Sequence, residues 1–135
     1  MSDFGLIATR LDATTESLRH FSNAIEYFRS RPQRDQTEVH ARFSDLLRVL
    51  EPISEGSNGK LSESLEVDEL SMITILKQMH PRDWQPFRIK LKYITDKVRS
   101  SEPEISTEDL AVLEDVADAM DAECARLFKR ISGRI

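Results

Sequence analysis

The chain has one cysteine, four glycines, three histidines and no apolar run near the length of a bilayer. Each scarcity excludes something. A lone Cys124 cannot form a disulfide within the chain, which fits a reducing compartment and leads us to expect a cytoplasmic protein. Four glycines cannot build a phosphate-cradling loop and also serve the turns. His20, His40 and His80 lie far from one another and from Cys124, so no zinc-ligand spacing exists. No stretch approaches the roughly 20 apolar residues that a spanning helix needs, and no basic segment followed by an apolar run opens the chain. No membrane role is expected. Glu-x-x-His pairs are absent as well, and with them the ligand pattern of a di-metal bundle.

What remains is charge and helical period. Charged residues are 32% and hydrophobic residues 39% of 135, with a net charge of −5. That length suits one domain, residues 1–135, able to bury a core without metal or disulfide. From residue 105 to 131, Leu110, Leu113, Ala117, Met120, Cys124, Leu127 and Ile131 recur three and four residues apart. Their mean spacing of about 3.5 is that of a knobs-into-holes seam. Ser106 and Asp109 form a capping box, with Ile105 and Leu110 as its staple, and Gly133 is placed for a left-handed C-terminal cap. On this stripe Cys124 is expected to be a buried core thiol rather than a nucleophile.

The first segment repeats the pattern. Phe4, Ile7, Leu11, Thr14, Leu18, Phe21, Ile25 and Phe28 describe a helix from about residue 3 to 29. Asp35 and Glu38 open a second helix, which Pro52 should end. Residues 54–59 read as a surface loop. A third helix starts at Ser62 or Asp68; Met72, Ile73, Ile75, Leu76 and Met79 cover over half of it, so it should be the most buried. Asp83 caps a fourth helix with Pro86 in its first turn. The fold expected is all-α: a five-helix bundle with long first and last helices and coiled-coil-like packing seams. The short second and fourth helices cannot cover the full stripe of a long neighbour. Either the third helix fills the rest or another chain does.

Acids and bases are segregated along the chain. Residues 101–123 carry nine acids and no base, whereas residues 77–99 carry seven Lys/Arg and two acids. The acids Glu114, Asp115, Asp118 and Asp121 lie on a helix flank that suits a solvated face better than a paired-carboxylate site. No catalytic, cofactor-binding or metal-ligating residues are expected. On the fourth helix Ile89 and Tyr93 project from the back, an i,i+4 pair facing away from the core. Arg88, Lys92 and Arg99 flank the stripe on one side, and Lys90 and Lys97 on the other. An apolar pair ringed by lysines suits a protein partner, so the expected partner-binding residues are Ile89, Tyr93, Lys90, Lys92 and Lys97. The expected function is a non-enzymatic interaction or assembly module, self-associating or a small subunit of a larger complex. Internal neutralisation of these bases by the acidic start of the last helix is the plainer arrangement.

Bases interleaved with an aromatic can also track a phosphate backbone, with Arg29, Arg31, Arg34, Arg88 and Arg99 as contacts. Arg34 and His40, in Arg-Asp-Gln-Thr-Glu-Val-His, resemble the R-x4-6-H motif of HEPN-domain ribonucleases. That resemblance implies a helical bundle of similar size in which the arginine and histidine act on RNA across a dimer interface. The family's motif falls late in its bundle, whereas here one helix precedes it. A nucleic-acid-contacting small helical subunit, or a HEPN-like ribonuclease, is thus the alternative function.

Overall fold

The structure, a computed structural model, describes residues 2–30, 35–55, 69–100 and 104–133. Those residues form an all-α bundle of α1 (Ser2–Ser30), α2 (Gln36–Glu55), α3 (Glu69–Met79), α4 (Trp84–Arg99) and α5 (Thr107–Ser132), with no strand among them. At about 1.5 Å per residue, α1 and α5 are roughly 40 Å long and α4 little over half that.

The two long helices pack together along their length and run antiparallel. Arg29 reaches Glu114 at one end, and the Thr15 hydroxyl lies 3.6 Å from the Cys124 sulfur further along. α2 folds back on α1, where Phe28 and Phe43 rings meet at 4.7 Å. α4 runs antiparallel to α2: Arg99 bonds Glu51 at 2.8 Å and Ser54 meets Thr95 at 2.7 Å. Because the Thr95 hydroxyl donates to its own helix at Leu91 O, Ser54 is the donor between them. α3 packs on α5 and α2. It therefore supplies cover that α2 and α4 are too short to give. One hydrophobic cluster draws on all five helices, from Phe21 and Ile25 through Leu46, Leu50, Met72, Leu76, Leu91 and Ile94 to Leu113 and Met120.

Local signals explain most helix ends. Ser106 accepts a bond from Asp109 N (3.1 Å), and Asp109 Oδ2 accepts one from Ser106 N (3.0 Å), which closes the expected capping box. The Asp35 carboxylate takes the Thr37 amide at 2.8 Å, while Glu38 turns to Arg42 one turn on, at 3.2 Å. Other ends depart from expectation. α2 continues through Pro52 to Glu55, because Ile53 is buried and Ser54 is tied to Thr95, so tertiary contacts hold a turn that proline weakens. Asp83 precedes α4 but makes no side-chain cap bond. Gly133 is right-handed, with φ −68° and ψ −6°, and its amide simply extends the helix to Lys129 O. Of the α3 side chains described, Met72 and Leu76 are fully buried, Ile73 and Ile75 are half-buried and Met79 is exposed. The expected loop at 54–59 and the two expected starts of α3 lie mostly or wholly outside the described residues.

The buried row of α5 is rotated from the expected stripe. Asp109, Leu113, Val116, Met120, Glu123 and Leu127 are buried, 18 residues in five steps, which is the straight-helix period. Ala117, Cys124 and Ile131 sit half-buried at its flank. Cys124 is thus not a full core thiol. Burial pushes it above its ordinary pKa, with Thr15 opposing and Asp121 and Glu123 adding, so it stays protonated.

Glu123 has no exposed surface and is held by Arg126 in a forked pair of 2.7 and 2.8 Å. Thr14 and Ser17 of α1 are also buried. The α1 and α5 stripes are therefore partly polar in this half of the bundle.

Two substitutions test these packing claims by chemical denaturation. Leu113→Asp puts an unpaired charge into the fully buried row and is expected to cost about 3 kcal/mol or more. Arg126→Ala strands the buried Glu123 carboxylate and is expected to cost about 2–4 kcal/mol. A neutral result for Arg126→Ala would mean that Glu123 finds compensation elsewhere.

Candidate functional site

α4 has two unlike faces because of its spacing. Phe87, Leu91, Ile94, Thr95 and Val98 fall on one side and are buried. Ile89 and Tyr93, one turn apart on the opposite side, are 67% and 63% exposed. These are among the largest exposures of any big apolar side chain described. Gln85, Lys92 and Asp96 share the outward face, and all are exposed.

The cations around this pair divide into those committed within the fold and those that are not. Lys97 is committed: its ammonium lies 2.5 Å from Asp109 Oδ2 and also stands over the Tyr93 ring, 5.4 Å from the centroid. Arg99 bonds Glu51 and lies 3.7 Å from Asp96. Arg29 is bound to Glu26 at 2.7 Å and to Glu114, at the far side of the bundle beside α5. Arg88, Lys90 and Lys92 are exposed and make no ion pair among the described residues. Internal neutralisation of the basic segment by α5 therefore rests on Lys97. The structure brings Ile89, Tyr93, Arg88, Lys90, Lys92 and Lys97 onto one helix surface but does not bring Arg29 to it. Arg31 and Arg34 lie outside the described residues.

Lys90 also borders a groove of about 600 Å³ between α4 and α5, lined among others by His80, Phe87, Glu108 and Asp115. His80 stacks on Phe87 at 4.0 Å, with Nε2 3.4 Å from Asp115. His40 is exposed on α2 and His20 lies 3.7 Å from Glu16. Among the described residues no three His, Cys, Asp or Glu side chains are placed to share a metal ion, and no helix is long and apolar enough to cross a membrane.

Four buried polar groups depart from the expected stripes: Ser17, Thr95, Asp109 and Glu123. Thr95 sits four residues after Leu91, and Glu123 is three after Met120 and four before Leu127, so spacing alone would have found both. Residue type argued against them. Asp109 matters most here. Burial presses its carboxyl upward, but bonds from Lys97 and Ser106 outweigh this and hold it below the ordinary 3.8. Lys97 in turn is raised above 10.5, by its bond to Asp109 against its own desolvation.

Compared with protein-family models, curated proteins and solved structures, the chain finds no match.

The Lys97–Asp109 pair sets a pH signature. A depressed carboxyl contributes stability that is present above about 3.8 and is lost as pH falls through its folded value. A raised ammonium contributes stability present below 10.5 and lost as pH rises through its folded value. Asp109→Asn is expected to cost about 1–2 kcal/mol at neutral pH through the cap and the pair together. Thermal melts of both proteins should converge in acid, and in strong alkali the gap should shrink to the share that the cap carries. A gap constant from pH 3 to 8 would show that the charge is irrelevant.

Proposed function

We propose that this chain is a non-enzymatic protein-interaction module that assembles through the outer face of α4. One observation carries the reading: Ile89 and Tyr93 stand exposed side by side, bordered by the uncommitted Arg88, Lys90 and Lys92, on a helix whose other face is wholly spent on the core. Scattered exposed apolar residues are ordinary. An apolar pair with a cationic rim has the anatomy of a small interface, in which the centre gives affinity and the charges give orientation. Tyrosine is a frequent anchor of such contacts, and Lys97 beneath its ring favours one setting.

The second reading is a nucleic-acid contact by the same face, favoured by Arg88 and Lys92 flanking an exposed tyrosine. Against it, Arg29 and Arg99 are already bonded to carboxylates. The ribonuclease form of this reading rests on His40, which is exposed, and on Arg34, which is outside the described residues.

The test is the double variant Ile89→Lys with Tyr93→Glu. Both side chains are mostly exposed, so circular dichroism and the melting midpoint should match wild type to within about 0.5 kcal/mol. Light scattering and partner binding should show weakened assembly. If both are unchanged, the interface lies elsewhere. Anisotropy of a labelled single-stranded RNA at two salt concentrations separates the readings, since a phosphate contact must weaken steeply with salt.

A further inference from the structure

On the outer side of the long-helix pair, α1 and α5 leave an open groove of about 460 Å³. Leu11, Ala125 and Phe128 give it an apolar lining, and Asp12, Glu16 and Asp121 give it acid. Phe128 is 61% exposed. Asp12 and Asp121 are exposed and make no ion pair among the described residues. Glu16 is kept ionised, its carboxyl held below the ordinary value chiefly by Arg19. The surface is the counterpart of the α4 face: concave where that one projects, and acidic where that one is basic.

We propose that a second copy of this chain is the occupant of the α4 face, docked head to tail with its α1/α5 groove around Ile89 and Tyr93. The inference rests on the reading of α4 as an interface. Charge decides the arrangement. A symmetric α4-to-α4 contact would set Arg88, Lys90 and Lys92 against their own copies, with Asp96, already beside Arg99, as the acid on the outward face. Like charges at a contact cost free energy and steer copies apart. In the head-to-tail contact the same cations meet Asp12 and Asp121, unpaired among the described residues, while Glu16 stays with Arg19 at the rim, and the two protruding side chains enter the apolar floor beside Phe128. The two surfaces sit on different helices of one chain, so one copy can use both at once. Association of this heterologous kind closes into a ring or extends as a filament. The area of one helix face is small, which makes the contact weak and concentration-dependent.

The experiment uses three full-length proteins in sedimentation or light scattering: wild type, the α4 variant Ile89→Lys/Tyr93→Glu, and a groove variant, Asp12→Lys/Asp121→Lys. A milder groove variant, Asp121→Asn, serves if the reversal disturbs folding by circular dichroism. Wild-type mass should rise with concentration and fall with salt. Each variant alone should associate at least about tenfold more weakly, as when a central contact is removed. The decisive result is the mixture. The α4 variant keeps its groove and the groove variant keeps its α4 face, so together they should form a two-chain complex and nothing larger. The inference is overturned if wild type remains monomeric at several hundred micromolar, if the groove variant associates like wild type, or if the mixture does not pair. When the groove variant alone behaves as wild type, α4 remains an interface with another occupant. When the α4 variant also does so, both readings fall.

Discussion

The antiparallel contact between α1 and α5 is the constraint on which the remaining structure depends. It is the most extensive helix contact among the described residues, and it joins the first helix to the last. Two helices alone can bury only one stripe each, and the stripe must then be roofed. The three middle helices do that work in pieces: α2 over the C-terminal half of α1, α3 over α5, and α4 against α2. Their shortness follows from the task. Each covers part of a seam that none could span. The seam is not uniformly apolar, however. Around Thr14, Ser17 and Glu123 it is polar, and the forked Arg126 pair keeps a fully buried carboxylate satisfied. Both partners lie on α5, with Arg126 at the surface, so the pair satisfies the buried carboxylate within one helix and not across the seam.

Charge segregation in sequence becomes charge segregation in space. The acids from Glu108 to Glu123 lie on α5, and Arg88, Lys90, Lys92, Lys97 and Arg99 lie on α4, which bonds α5 through Lys97 and Asp109. Had α4 lain alongside α5, the two sets would have cancelled. Instead α4 is committed to α2, with Ser54–Thr95 and Glu51–Arg99 as its polar ties. The result is a helix with a basic outer face on a chain of modest negative net charge. Such a distribution orients encounters more than it raises affinity.

Much of this was legible in the chain and some was not, for physical reasons. Helix number, order and type followed from three-four spacing, and the Ser106–Asp109 box placed the start of α5 to the residue. Residues 89 and 93 were correctly read as outward, because the wheel of a single amphipathic helix leaves no alternative. The failures share a cause. Val116 competed with Ala117, and Glu123 with Cys124; hydrophobicity chose Cys124 over Glu123, whereas the buried row needed the residue at the right angle. The local signal was there, with Glu123 on the row by spacing and Arg126 three residues on, but residue type argued against burying a carboxylate. Pro52 failed likewise. Its cost to the helix is local and visible, while the compensation from Ile53 and Thr95 comes from elsewhere in the fold.

Lys97 links the fold to the candidate interface. Its bond to Asp109 joins the end of α4 to the capping box that starts α5, so the connection between the two helices is clamped at its base. The same ammonium lies over Tyr93. An exposed tyrosine would otherwise sample several rotamers, and fixing one on binding costs free energy that subtracts from affinity. Here a residue that clamps the α4–α5 connection restrains an aromatic that lies outside the core. The setting of the Tyr93 ring is thus biased by a contact within the fold itself. Because that cation is already paired with Asp109, the uncommitted charge at the edge of the apolar pair is that of Arg88, Lys90 and Lys92.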